Sequence, residues 1–269
     1  MIDLHVHTRA SNDACGSIKE YWSHAKSLGT KTLCTTNHLE MAHGKQKRMD
    51  LNYQRDCRKF EQEFELAKTL ADGPEVLMGI EVGNRFNFLF HTMEYIKNFQ
   101  WDMLVGSAHV VDGFGIAGDH GIKYFHDKTE DIAYNRYFDA VEDLVEWGLF
   151  NTMGHFDIIK RKGVKFYGPF KAEKFKNRIK PILRKIKRKK IALELNTSGY
   201  FQEPNEPYPG EAILVMAYEM GINRITIGSD CHSPKHLGRG INRGLALLKK
   251  IGFKKVTIFR KQKPCFIKI

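Results

Sequence analysis

The chain has no run of about 18 apolar residues, so no segment of it reads as a membrane-spanning helix. Its N-terminus also lacks a basic stretch followed by an apolar one, the mark of a secretory leader, and a cytoplasmic protein is expected. Cysteine is scarce. Cys15, Cys34, Cys57, Cys231 and Cys265 are odd in number, scattered and never in a CxxC pair, which argues against a disulfide framework and against a thiolate zinc site. Acid is nearly missing from one segment: residues 160–190 hold 15 Lys or Arg against Glu173 alone, a local charge of +14 in a chain whose net charge is +12. The remainder is therefore close to neutral. Within the basic segment Phe175, Ile179, Ile182, Leu183 and Ile186 recur at helical spacing, so an amphipathic helix with a solvated basic face is expected. Attraction of an anionic substrate or of a polyanion is the lesser reading. Exposed aromatics are not interleaved with the charges, and a dedicated nucleic-acid platform is not expected.

What the 269 residues do contain is a steady alternation of short β-rich runs and longer helical patterns. IDLHV is followed by SIKEYWSHAKSLG, KTLCTTN by a helix from about Leu51 to Ala71, and EVLMGIEV and DMLVGSAHV by DIAYNRYFDAVEDLVEWG. NTMGHF then precedes the basic helix, IALELNTS precedes GEAILVMAYEMG, and RITIGSD precedes the helix HLGRGINRGLALLKKIG and a last run, KVTIFR. Such alternation implies βαβ units and a parallel sheet. Gly29, Gly148, Gly221 and Gly252 each stand where a helix-ending glycine belongs. About seven units without a flexible linker fit one domain over residues 1–269, a closed barrel in preference to an open doubly wound sheet.

The polar residues favour the barrel, because they fall at the C-terminal ends of many strands, which in a (β/α) barrel share one rim. His5 and His7, two apart on the first strand, point to the same face. Twelve histidines make chance spacings common, so that pair alone is weak. Later strand ends add His38 in TTNHLE, Glu81 in GIEVG, His109 in GSAHVVDG, His155 in MGHFD, and Asp230 with His232 in GSDCH. Imidazole and carboxylate without thiolate favour Zn, Mn or Fe. So many donors exceed the needs of one ion, and a carboxylate such as Glu81 can bridge two. Two to three divalent ions are expected.

Taken in order, His5 and His7 with Asp13, then His38, Glu81, His109, His155, Asp230 and His232, these motifs resemble those of the polymerase and histidinol phosphatase (PHP) superfamily. GSAHVVDGFG, EWGLFNTMGHFDIIKR, LELNTSG and GSDCHSPKHLGRGINRGLALLKKIGFKKVTIFRKQKP further resemble the PHP-type histidinol-phosphate phosphatases. The resemblance implies an α/β fold, a distorted (β/α)7 TIM-like barrel with a trinuclear metal centre at its C-terminal rim. It assigns one ion to His5, His7, Glu81 and Asp230, a second to Glu81, His109 and His155, and a third to Asp13, His38 and His232. The family's Thr-Asp-His is replaced here by Thr36-Asn37-His38, which weakens the expected control of His38 by a neighbouring acid. Asp13 is chosen over Asn12 for its spacing from His7.

The implied reaction is hydrolysis of L-histidinol phosphate, a small phosphate monoester of histidine biosynthesis, by a hydroxide bridging the two ions that share Glu81. Arg161 in HFDIIKR, and more weakly Arg239 in LGRG, are the expected phosphate-binding guanidinium groups. Asp230 or His232 could protonate the leaving oxygen, as could a bound water. Asp112, Phe114 and Tyr124 are natural suspects for the imidazole and amine and are left unassigned. Two rivals remain: a phosphoesterase or nuclease for another substrate, and a metal-binding scaffold without activity.

Overall fold

A computed structural model describes residues 1–39, 58, 61–84, 89–97 and 99–269. Seven strands form one parallel sheet: β1 (Ile2–Val6), β2 (Thr32–Leu39), β3 (Glu75–Gly83), β4 (Met103–Ser107), β7 (Thr152–Met153), β8 (Ala192–Asn196) and β9 (Ile225–Gly228). They are neighbours in chain order, each following the last across the sheet. A two-stranded ribbon, β5 (Val110–Val111) with β6 (Phe114–Gly115), follows β4. The sheet curls until its ends meet at the C-terminal rim. There the Asp230 amide donates to the carbonyl of His5 at 2.8 Å and the His7 amide to that of Cys231 at 3.0 Å. The expected (β/α) barrel of seven strands is present, and it is distorted: β7 is two residues long and β1 carries a bulge between Asp3 and Val6.

That bulge matters. Leu4 packs with Cys34, Leu77, Met103, Val105 and Ala192 of other strands, inside the barrel, whereas Val6 packs with Tyr21 and Ala25 on the helical side. Simple alternation would send residues 4 and 6 to one face. The irregularity re-aims the strand, so that apolar Leu4 and polar His5 both turn inward at successive levels.

The helices are α1 (Ile18–Ser27), α2 (residues 61–68), α3 (Leu89–Lys97), α4 (Glu130–Trp147), α5 (Lys160–Tyr167), α6 (Lys176–Lys189), α7 (Glu211–Glu219) and α8 (Ile241–Ile251). α1 begins in a reciprocal cap: the Ser17 hydroxyl accepts from the Glu20 amide and the Glu20 carboxylate accepts from the Ser17 amide. α4 starts at the Thr129 hydroxyl and stops at Gly148, whose φ of 65° a side chain would strain. The helix expected over residues 51–71 is seen at 61–68; its first part lies outside the described residues, as does Cys57. Among the described residues no helix is long and apolar enough to cross a membrane.

Three expectations change. The basic segment is two helices, α5 and α6, because Gly168 takes φ 74° and redirects the chain. The helix expected from HLGRG begins only at Ile241, since Gly238 and Gly240 both take positive φ. KVTIFR does not join the barrel. It forms β10 (Lys255–Arg260) of an antiparallel hairpin with β11 (Lys263–Lys268), and its Ile258 and Phe259 pack against Leu4, Cys34, Met103 and Val105. The hairpin thus plugs the N-terminal end of the barrel with apolar side chains, leaving the opposite end for polar ones.

On the outside, Phe175, Ile179, Ile182, Leu183 and Ile186 are buried, as their spacing requires, and burial of each such side chain contributes about 1.5–3 kcal/mol. The basic face of α6 turns partly toward acids of α4. Arg178 pairs with Asp139 and Glu142, Lys185 with Glu142 at 2.9 Å and with Glu146, while Lys174, just before α6, pairs with Glu130 at 2.7 Å. Much of the local charge is consumed within the fold.

Candidate metal centre

The polar end of the barrel gathers all nine candidate ligands. Around Glu81, at the end of β3, the ring nitrogens of His5 and His7 lie 3.0 Å from each other (Nε2 to Nε2) and 3.6 and 3.7 Å from the carboxylate. Asp230 Oδ1 stands 3.6 Å from His5 Nε2 and 3.2 Å from His7 Nε2. Nε2 of His109 and of His155 are 3.4 and 2.9 Å from Oε1, the oxygen that His5 also approaches, and 3.2 Å apart. A third set lies farther out: Asp13 Oδ2 is 3.4 Å from His38 Nε2 and 3.3 Å from His232 Nε2. Asp13 lines the cleft over the cluster, and Asn12 is not among the lining residues.

These spacings test whether the residues suit metal ions. Donors held about 2.0–2.2 Å from one ion in a tetrahedron are about 3.3–3.6 Å apart, close to the spacings seen here. Donor atoms of His5, His7 and Glu81 fall within 4.8 Å of one another, as do those of His38, Glu81 and His109, and those of His7, His38 and His232. Nδ1 of His38 and Oε2 of Glu81 approach to 2.6 Å, yet both remain buried without an aligned hydrogen bond. Unpaired lone pairs in a buried cluster are costly unless a cation meets them. The donor set fits divalent ions.

Electrostatics point the same way. Burial opposes ionisation of Glu81, but His109, His38 and His5 hold its carboxyl well below the usual range. Burial is likewise outweighed at Asp230, by His5, His7 and His232, and at Asp13, by His232 and His38. His7 is pushed down to about 3 by burial and by the neighbouring His38, so it stays neutral and keeps a lone pair to donate. His5 and His38 move upward, burial notwithstanding, because Glu194 and Asp230 act on the first and Glu81 and Asp13 on the second. The cluster of carboxylates demands positive charge at its centre.

Supporting contacts fix the rings. His7 Nδ1 lies 3.3 Å from the Ser11 hydroxyl, His232 Nδ1 lies 3.0 Å from the carbonyl of Asp230, and Ser107 donates to Glu81 at 2.6 Å. Asn37 does not touch the His38 ring. Its Oδ1 accepts from the Thr8 amide and the Ser11 hydroxyl, each at 2.8 Å, and Ser11 in turn accepts from the His38 amide. The amide therefore organises the turn after β1, which needs an acceptor but no charge. His38 is instead addressed directly by Glu81.

A cleft of about 470 Å³ opens over the cluster, and Arg161 and Arg239 both line it. Among the described residues Arg161 Nε is buried with no hydrogen-bond partner, and the Arg239 guanidinium lies 3.6 Å over the ring of Phe201, another lining residue. Asp112, Phe114 and Tyr124 do not line this cleft; the Tyr124 hydroxyl is used inside the fold, donating to the carbonyl of Ala133. Two features went unread in the sequence. Glu194, in the middle of the apolar run IALELN, places Oε1 2.6 Å from His5 Nδ1, and Lys160 is fully buried with Asp157 at 2.8 Å. An acid inside a β-rich apolar run was the available signal for the first. No spacing marks the second.

A family model described as the PHP domain matches residues 3–198. The chain belongs to the PHP family. That match spans the PHP motifs from His5 to His155, while Asp230 and His232 lie beyond it, at the strand end that closes the barrel against β1. Relatives cover the whole length. A protein of Thermotoga maritima named probable histidinol-phosphatase is 30% identical over 96% of this chain and 95% of its own. One of the same name from Deinococcus radiodurans is 27% identical over 98% and 99%. Among solved structures, the histidinol phosphate phosphatase of Lactococcus lactis, complexed with zinc, L-histidinol and phosphate, superposes with a TM-score of 0.80 at 23% identity, covering 98% of both chains. The PHP barrel is thus shared over nearly its full extent.

Proposed function

We propose that this PHP protein is a metal-dependent phosphomonoesterase that hydrolyses L-histidinol phosphate to L-histidinol and phosphate, a step of histidine biosynthesis, with residues 1–269 acting as one domain. The observation that carries the reading is Glu81, whose buried carboxylate stands among five imidazoles, with His5, His109 and His155 nearest Oε1 and His7 and His38 nearest Oε2, beneath a cleft lined by guanidinium groups. Full-length relatives named histidinol-phosphatases support the choice of substrate.

In this reading His5, His7, Glu81 and Asp230 hold one divalent ion, Glu81, His109 and His155 a second, and Asp13, His38 and His232 a third, of Zn, Mn or Fe type. Bound there, such ions activate water as a nucleophile near neutral pH and neutralise the phosphoryl oxygens. The protein's own contribution is placement. Glu81 fixes the distance between two ion sites, and Asp230 and His232 hold the rim opposite. Asp230 Oδ2 accepts from Asn196 at 3.2 Å and both His232 nitrogens have partners, so these residues serve better as holders than as proton donors. Arg161, with a buried N–H free of protein partners, binds the phosphate, and Arg239, which lines the same cleft, assists.

The pairing of α6 cations with α4 acids leaves less charge for a nucleic acid than the sequence suggests. The test is phosphate release across a panel of monoesters and nucleic-acid ends. L-histidinol phosphate should be the preferred substrate, with turnover insensitive to added DNA. Preference for diesters or for DNA ends would overturn the assignment.

A further inference from the structure

We infer that Glu194 is a positioning residue that holds His5 with its Nε2 lone pair toward the ion site and, with its other oxygen, seats the backbone of His155. The inference rests on the proposed reading of Nε2 of His5 as ion-facing.

Glu194 is buried, 2% exposed, at the central position of β8, two residues before the strand's C-terminal end. Its Oε1 lies 2.6 Å from His5 Nδ1. A carboxylate can only accept, so the proton between them belongs to Nδ1 and the lone pair of the ring is left at Nε2. Its Oε2 accepts from the His155 amide at 2.8 Å and from Asn196 Nδ2 at 3.2 Å. His155 takes φ 20°, a left-handed value rare for a side-chain residue, and this hydrogen bond is one of the contacts that over-determine it. One side chain thereby reaches both His5 and His155. The space around it is equally specific: a Cβ on Gly228 would fall 2.3 Å from His5 Cβ and 3.1 Å from Glu194 Oε1, so only glycine allows β9 to close over the pair.

The geometry predicts a particular defect in Glu194→Gln. Two donors, the His155 amide and the Asn196 amide group, face the Oε2 position, so the glutamine must place its oxygen there and its NH2 toward His5. An N–H aimed at Nδ1 makes that nitrogen the acceptor and drives the ring proton to Nε2, the atom that faces the ion. The variant keeps its shape and the seat of His155 but presents the wrong tautomer to one ion only.

The test is titration of metal-stripped wild type and Glu194→Gln with zinc in competition with a chromophoric chelator, with 15N spectra of histidine-labelled, zinc-loaded wild type alongside. One zinc per chain should bind about 10–100-fold more weakly in the variant while the remaining sites keep their affinity. In the spectra the His5 resonances should show zinc at Nε2 and a proton at Nδ1. Unchanged affinity at every site, or a proton on Nε2 of His5 in the zinc-loaded wild type, overturns the inference while leaving the metal reading intact. Failure of the wild type to bind zinc at all overturns both. If Glu194→Gln does not fold, the wild-type spectra still decide.

Discussion

Oε1 of Glu81 lies 2.9 Å from Nε2 of His155, a residue 74 positions further along the chain, and its partner oxygen lies 3.7 Å from His7. β3 and β7 are not adjacent in the sheet; β4 runs between them. Only a curled sheet brings their ends to one point, so the site is a product of barrel closure and not of any local motif. Its consequences can be measured.

Arg161 should matter for phosphate before it matters for fold. Its Nε is buried, lacks a protein partner and lies on the cleft wall. Hydrogen bonds to a charged group contribute about 1.5–3 kcal/mol, so Arg161→Met should lower kcat/KM by about 10–150-fold. Inhibition by inorganic phosphate should weaken in parallel. Arg161→Lys should recover only part of the loss, because an ammonium does not reproduce the planar fork. Steady-state kinetics with phosphate as inhibitor check this.

Lys160 is a structural test case. Its ammonium meets Asp157 and the carbonyl of Pro207, each at 2.8 Å, and Glu206 at 2.9 Å. Asp157 is pushed upward by burial even with this partner present, and Lys160→Met would leave it buried with the Gly210 amide but without its ammonium partner. A loss of about 3–5 kcal/mol is expected in urea unfolding. Adding Asp157→Asn to that variant should restore part of the loss, since the uncompensated charge is then gone.

Glu75 and Arg260 tie the plug hairpin to the barrel through two hydrogen bonds, at 2.7 and 2.6 Å. The guanidinium holds the Glu75 carboxyl below its ordinary value, so its stabilising effect is present above the unfolded value, about 4.3, and is lost as pH falls through the folded one. Glu75→Gln should therefore lower the Tm at pH 7 by a small amount, the pair being part exposed, and the gap from wild type should close toward pH 3. Thermal melts from pH 3 to 7 read the sign directly. A gap that widens on acidification contradicts it.

Arg239 is held by stacking on Phe201 and by the bond from the Thr197 hydroxyl to its carbonyl at 2.6 Å. Phe201→Ala should raise KM for the phosphate ester severalfold through a loosened guanidinium, while leaving the zinc content unchanged. Combining it with Arg239→Ala should add little, because both changes remove the same placed cation.

Much of this was legible in the sequence, for physical reasons that also mark the limits. Alternating runs and helix-ending glycines such as Gly148 report backbone periodicity, and periodicity is local, so the βαβ order reads directly. The strand-end donors were legible because a barrel gives every strand end the same address. What escaped was whatever depends on neighbours distant in sequence. KVTIFR reads as one more strand, and only the lack of a gap beside β9, already closed on β1, sends it to the hairpin. HLGRG reads as helix until Gly238 and Gly240 are seen at positive φ. Glu194 reads as an ordinary acid, since its partner His5 is 189 residues away. Asn37, read only as the loss of an acid that would steer His38, serves Thr8 and Ser11.

The central claim is that the rim cluster is a divalent-metal site whose work is hydrolysis of L-histidinol phosphate. Its most direct test follows phosphate release from that ester by one protein preparation as isolated, after removal of metal with a chelator, and after return of Zn, Mn or Fe. Turnover should stop on removal and return with at least one of the three ions, and in Glu81→Ala it should stay down by more than about 100-fold whatever ion is supplied, a larger loss than that of a residue merely supporting a ligand. Undiminished turnover in the metal-stripped protein, or in Glu81→Ala, would contradict the account.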